Sequence, residues 1–205
     1  CGSPTVFTQG GIHKVGIGTK GGAYFILDAN TLAVLARRQL LPYDSVTGAP
    51  LPGFDEYPGE NMWGVFGTAA IHSGLGRLYI GLGGYAGIGN YQTTPFIRAV
   101  DWHTLADAWM TAVQPVGANQ VSRYTVPQPP LYTTPLEAGL SSPAVVNDVV
   151  FVSTTKPALY ALDAATGLCL WPAPGITSGQ YVLGPAIYGN YVIIGSGGNV
   201  HIYSL

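Results

Sequence analysis

Ala161-Leu162-Asp163-Ala164-Ala165-Thr166-Gly167-Leu168-Cys169-Leu170-Trp171 has the form A-x-D-x-x-T-G-x-x-x-W, and it occurs more than once. Ala99-Val100-Asp101-Trp102-His103-Thr104-Leu105-Ala106-Asp107-Ala108-Trp109 keeps the Ala, Asp, Thr and Trp and puts Leu where the Gly stood. Ile26-Leu27-Asp28-Ala29-Asn30-Thr31-Leu32 keeps the Asp and Thr, with Ala36 at the place of the Trp. Matched positions at fixed offsets mark a structural repeat rather than unrelated hairpins with similar turns. In each copy a short apolar strand runs into an Asp whose carboxylate can accept turn N–H groups. Gly167 suits a left-handed backbone. The strand that follows delivers an indole able to pack between neighbouring sheets.

Outward from the motifs, strand-like runs recur in sets. Thr5 to Thr8, His13 to Gly18, Ala23 to Leu27 and Ala33 to Arg37 form the first set, and Gly67 to His72, Arg77 to Leu82, Phe96 to Val100 and Ala106 to Met110 the second. Ser142 to Val146, Val149 to Ser153, Ala158 to Leu162 and Leu168 to Trp171 form the third. These predict three four-stranded antiparallel sheets, the blades of a β-propeller. A fourth sheet runs through Val182 to Tyr188, Tyr191 to Gly195 and Val200 to Leu205, with Leu205 aligned to Leu162 and the last strand wanting. About four blades therefore span residues 1–205 as one partial propeller domain. The remaining blades are expected on a longer or a partner chain, because an unclosed ring leaves a sheet edge open. Long Pro- and Gly-rich connections at 40–61, 81–95 and 113–138 are read as binding elements or as surface and subunit contacts.

Composition excludes several other classes. Only 9% of residues are charged, while 29 are Gly, 16 Pro and 13 Tyr, which disfavours helix and favours strand and turn. With eight Lys and Arg and a net charge of −2, no basic face exists for a nucleic acid. No apolar run reaches the roughly 20 residues of a membrane-spanning helix. Cys1 and Cys169 are too few and too distant for a metal site or a disulfide framework, and the absence of Cys-x-x-Cys-His excludes covalent haem attachment within the chain. Cys1-Gly2-Ser3 also has the form of a lipid-tethered bacterial N-terminus, although Cys1 stands directly before the first strand. His13, His72, His103 and His201 lack metal-ligand spacing. The glycines of 16–22 lack the strand-to-helix context of a phosphate loop.

The repeated motif resembles that of the quinoprotein (pyrroloquinoline quinone-dependent) alcohol dehydrogenases. These are eight-bladed propellers that hold the quinone and a calcium ion on the axis. Non-catalytic outer-membrane assembly scaffolds of the same superfamily carry the motif as well. The resemblance covers nearly all of this chain but about half of such a ring, its C-terminal half.

Lys20-Gly21-Gly22-Ala23-Tyr24-Phe25-Ile26-Leu27-Asp28 resembles the family stretch whose basic residue reaches the quinone oxygens, which implies that Lys20 contacts the cofactor. Asn61-Met62-Trp63 resembles the segment where the family places an Asn-Trp pair, which implies quinone contacts from Asn61 and Trp63. Met62 splits that pair, and strand alignment sets Phe66 on the family Trp. Solvated lysine and interblade packing are the plain alternatives for these residues. The catalytic aspartate and the calcium ligands of the family lie upstream of the Lys20 segment and map to nothing here. The implied function is that of part of a periplasmic or secreted dehydrogenase acting on an alcohol or sugar, not competent as this chain alone. The competing reading is a binding or assembly scaffold without cofactor.

Overall fold

Alternating strand and turn chemistry produces an all-β chain. The computed structural model describes residues 2–19, 22–40, 64–65, 67–83, 96–112, 141–154, 158–174, 184–196 and 198–205, and every regular element among them is a strand. The first sheet is β1 (Thr5–Gln9), β2 (Ile12–Gly18), β3 (Ala23–Asp28) and β4 (Val34–Gln39), in that order and antiparallel throughout. The second contains β5 (Gly64–Val65) and β6 (Ala70–His72), both paired with β7 (Arg77–Gly83), followed by β8 (Phe96–Asp101) and β9 (Asp107–Ala112). The third is β10 (Ala144–Val146), β11 (Val149–Thr154), β12 (Ala158–Asp163) and β13 (Cys169–Pro174). The fourth has three strands, β14 (Ala186–Tyr188), β15 (Tyr191–Ser196) and β16 (Asn199–Ser204).

Two expectations need correction. The first strand of the second sheet is split rather than continuous: Val65 pairs with Leu82 and Ala70 with Tyr79, so the β5–β6 side carries two extra residues and breaks the ladder. The fourth sheet runs further than its apolar pattern suggests. Ser204 faces Tyr191 as Asp163 faces Val149, and Leu205 N–H donates to Asn190 O as Ala164 N–H donates to Asp148 O. Leu205 is thus the counterpart of Ala164, not of Leu162, and Ser204 stands in the place of the Asp.

The motif turns share one bonding plan, with the Asp Oδ1 accepting from the turn that follows it. Asp28 Oδ1 accepts N–H from Asn30 and Thr31, and Asp101 Oδ1 accepts from His103 and Thr104, at 2.8–2.9 Å. Asp163 Oδ1 accepts both the N–H and the hydroxyl of Thr166 at 2.7 Å. The N–H groups of Leu32, Leu105 and Gly167 close the turns onto the Asp carbonyls at 2.8–2.9 Å. All three closing residues are left-handed, with φ of 58°, 60° and 75°. Leucine therefore takes up the conformation that glycine adopts freely, at a steric cost.

The core lies between consecutive sheets. Phe7, Tyr24 and Ile26 of the first sheet bury against Leu78, Ile80, Val100 and Leu105 of the second. Tyr79, Ile97 and Ala99 of the second pack on Val150, Val152 and Leu162 of the third, and Phe151, Leu159 and Ala161 of the third pack on Val192 and Ile194 of the fourth. The second and third sheets thus each have a front face toward the following sheet and a back face toward the preceding one.

Large and small residues exchange across these junctions. Trp109 sits opposite the small Ala164, while Ala36, at the Trp109 position of the first sheet, shares its core cluster with Trp102, the counterpart of Ala164. Trp102 stacks on Phe7 with ring centroids 5.9 Å apart. Trp109 is partly buried, as the repeat requires. Trp171 is not: it meets Tyr203 edge-on at 5.4 Å but remains 39% exposed. Its slot would lie over Leu205, which is bulkier than Ala164, and β16 has no fourth strand beside it among the described residues.

Candidate functional site

Antiparallel order sends the connections between second and third strands, and those between consecutive sheets, to one end of the fold. The Asp turns lie at the other end. In sequence Lys20 lies between β2 and β3, and Asn61 and Trp63 lie ahead of β5, so the described residues that flank them, Thr19 and Gly22 on one side and Gly64 and Val65 on the other, stand at the end opposite the Asp turns. The three residues themselves lie outside the described residues, as do residues 41–63, 84–95 and 113–140 of the long connections.

The residues flanking them are described, and they converge. Thr19 N–H donates to Ala23 O at 2.9 Å, the Thr19 hydroxyl binds both the N–H and the carbonyl of Ala23 at 3.1 Å, and Gly22 N–H returns to Thr19 O at 3.0 Å. Gly22 has φ of 78°, so glycine is what this tight return demands. Its carbonyl takes the N–H of the fully buried Leu40 at 2.9 Å. Thr19 O also accepts the N–H of Val65 at 3.1 Å. A Cβ on Gly18 would overlap Val65 Cγ1, so the missing side chain lets β5 close against the hairpin. The chain that enters Lys20 and the chain that leaves Trp63 are therefore bonded to each other.

A second convergence lies at the starts of the first strands, where β6 and β14 both touch β10. Thr68 N–H donates to Ser142 Oγ at 2.8 Å, and the Ser141 and Ser153 hydroxyls are 2.7 Å apart, with Ser153 fully buried. A Cβ on Gly67 would come within 2.9 Å of Ser142 Cα, and one on Gly184 within 2.9 Å of Ser142 O. Small residues thus let the first strands of the second, third and fourth sheets crowd together. Sequence reading missed this cluster, because adjacent serines before a strand look like any other turn. Among the described residues, no group of three His, Cys, Asp or Glu side chains converges as a metal site. No helix among them is long and apolar enough to cross a membrane.

No protein-family model matches this chain, and no curated protein matches it in sequence. Solved structures do match in fold. The chain resembles the quinohemoprotein alcohol dehydrogenase of Comamonas testosteroni at 15% identity and a TM-score of 0.55, over 93% of this chain and 33% of that one. It resembles Saccharomyces cerevisiae Sqt1 at 14% identity and a TM-score of 0.59, over 98% of this chain and 45% of that one. It also resembles the computationally designed Ika4 protein at 11% identity and a TM-score of 0.51, over 100% of this chain and 92% of that one. The chain is a β-propeller built from consecutive antiparallel sheets. It spans a third of the dehydrogenase and under half of Sqt1.

Proposed function

We propose that the chain forms part of a larger, periplasmic or secreted propeller that holds pyrroloquinoline quinone at its loop-rich end and oxidises an alcohol or a sugar. The bond from Val65 N–H to Thr19 O carries this reading, because it ties the approach to Lys20 to the exit from Trp63. The donor set suits the group. Lys20 offers a cation to carboxylates and quinone oxygens, Asn61 an amide, and Trp63 a flat face for stacking. When bound, the quinone supplies the acceptor of the substrate's hydride. Lys20 then places fixed positive charge where negative charge develops. The calcium ligands and the carboxylate that takes the hydroxyl proton belong, on this reading, to sheets outside the chain.

Quinone titration with calcium present, followed by absorbance and by dye-linked oxidation of simple alcohols, tests it on the complete propeller. Lys20→Ala should weaken quinone binding and slow turnover together, with circular dichroism unchanged. Absence of quinone binding at any concentration would overturn the reading.

A scaffold that holds a protein partner without cofactor is the second reading. Its support is that the same fold likeness extends to Sqt1 and to the designed Ika4 protein as well as to a dehydrogenase, and a fold does not by itself specify an activity. Under it, Lys20→Ala leaves partner binding intact and shifts stability by no more than about 0.5 kcal/mol.

A further inference from the structure

Lys14 is a buried cation that neither the Asp turns nor the quinone reading uses. It lies on β2 at 8% exposure, directly across from Phe7, and so shares the face of the first sheet that packs on the second. Its ammonium donates to Gln9 Oε1. No carboxylate among the described residues forms an ion pair with it. Asp28, its opposite across β2 and β3, spends Oδ1 on the N–H groups of Asn30 and Thr31.

Gln9 is buried as deeply, at 6% exposure, and its Nε2 has no hydrogen-bond partner among the described residues. An ammonium can only donate, so the amide oxygen must face Lys14 and the amide NH2 is what remains. Because Oε1 and Nε2 share one carbon, the unmet N–H groups lie one amide width from the ammonium. Gln9 follows Phe7 by two residues and points to the same side, where the stacked rings of Phe7 and Trp102 form an apolar wall. The second sheet uses this register position differently. Arg77 stands opposite Asp101 as Lys14 stands opposite Asp28, and its guanidinium reaches the carbonyls of Ala164 and Ala165 in the turn of the third sheet. The corresponding turn residues for Lys14 are Trp102 and His103, but Lys14 folds back onto Gln9 instead.

A buried charge without a counter-charge and a buried donor without an acceptor are each unfavourable. A negatively charged acceptor relieves both at once. We propose that Lys14 Nζ and Gln9 Nε2 bind a monovalent inorganic anion of chloride size at the junction of the first and second sheets. A spherical ion has no directional acceptors to satisfy, which suits two donor groups beside aromatic rings. Phosphate or sulfate would leave most of its oxygens without donors there, and water would bridge the donors but leave the charge unbalanced. Both sheets belong to this chain, so the site depends neither on the quinone nor on further sheets.

The test follows the melting temperature of the natively assembled protein as chloride replaces gluconate at constant ionic strength. Stability is expected to rise with chloride in the manner of a single site filling. Gln9→Glu sets a carboxylate beside Lys14 in nearly the same shape, and should abolish the chloride dependence while the circular dichroism spectrum stays unchanged. Lys14→Met should abolish it as well. Crystals soaked in sodium bromide should show anomalous density in contact with Lys14 Nζ and Gln9 Nε2, and crystals of the Gln9→Glu variant should not. Melting that ignores chloride would overturn the proposal, and any bromide then seen at the site would be an adventitious ion only. An ordered water in place of bromide would overturn it too, and so would a chloride dependence that survives Gln9→Glu.

Discussion

The indole N–H of Trp109 donates to the carbonyl of Ala164 at 2.9 Å, stitching the outer strand of the second sheet to a turn of the third. The same ring lies 5.7 Å from Tyr79, whose hydroxyl donates to the same carbonyl at 2.9 Å. Arg77 Nη1 adds a third bond to Ala164 O at 3.0 Å. One carbonyl thus collects three donors from the preceding sheet, and the junction is polar at its rim and apolar within.

Trp109→Ala should cost about 3–5 kcal/mol, since it empties a packed slot and removes one of those donors. Trp171→Ala should cost about 1–2 kcal/mol, because less of that ring leaves water on folding. Urea unfolding followed by far-ultraviolet circular dichroism checks the ranking. Equal losses at the two positions would contradict the asymmetry described above.

Leu32 and Leu105 share a left-handed backbone but not an environment. In the 205-residue chain, Leu32→Gly should raise stability by about 0.5–1 kcal/mol, because relief of the αL penalty outweighs the greater freedom of unfolded glycine. Leu105→Gly should lower it by about 2–5 kcal/mol through loss of a fully buried side chain. Thermal melts of the two variants should move in opposite directions.

The turn carboxylates make stability depend on acid. Hydrogen bonds from Thr31 and Asn30 hold the Asp28 carboxyl below its ordinary range, and at Asp163 the Thr166 hydroxyl and backbone do the same. At Asp101 burial pushes upward, but the bonds from Thr104 and His103 prevail and the net shift is down. Each group binds its proton less readily folded than unfolded. Its stabilising effect is therefore complete above the unfolded value of about 3.9 and is lost as the pH falls through the lower folded value. Asp163→Asn, which keeps an oxygen for Thr166, should flatten that acid limb while sparing the turn. Asp163→Ala should remove both. Melting temperatures between neutral and acid pH separate the cases.

Most of the fold was legible because each turn was written in side-chain chemistry. Asp28, Asp101 and Asp163 announce their turns three residues ahead of a Thr, and the apolar runs around them alternate as half-buried strands do. Leu32 and Leu105 in glycine's conformation were hidden, since nothing local to a leucine reports φ. The partner of Ala36 was hidden too, because the exchange with Trp102 joins residues far apart in sequence. The end of the fourth sheet was misjudged because Ser204 carries none of the Asp chemistry that marks its counterparts. At the end opposite the Asp turns, the reading of Lys20 rests on resemblance alone, whereas the bond joining Thr19 to Val65 required coordinates.

Gly18 gives that end its sharpest test. A methyl at this position overlaps Val65 Cγ1, so Gly18→Ala should force β5 away from the β2–β3 hairpin and cost about 1–3 kcal/mol. Val65→Ala alone leaves a void and should also destabilise. Combined, the two changes exchange volume across one contact, so the double variant should be more stable than the sum of the single losses predicts. On the quinone reading, Gly18→Ala should also weaken quinone binding although Lys20, Asn61 and Trp63 are untouched, and the double variant should recover part of it. Strictly additive stabilities would show that Gly18 and Val65 do not meet, and the convergence of the two flanking segments would fall with them.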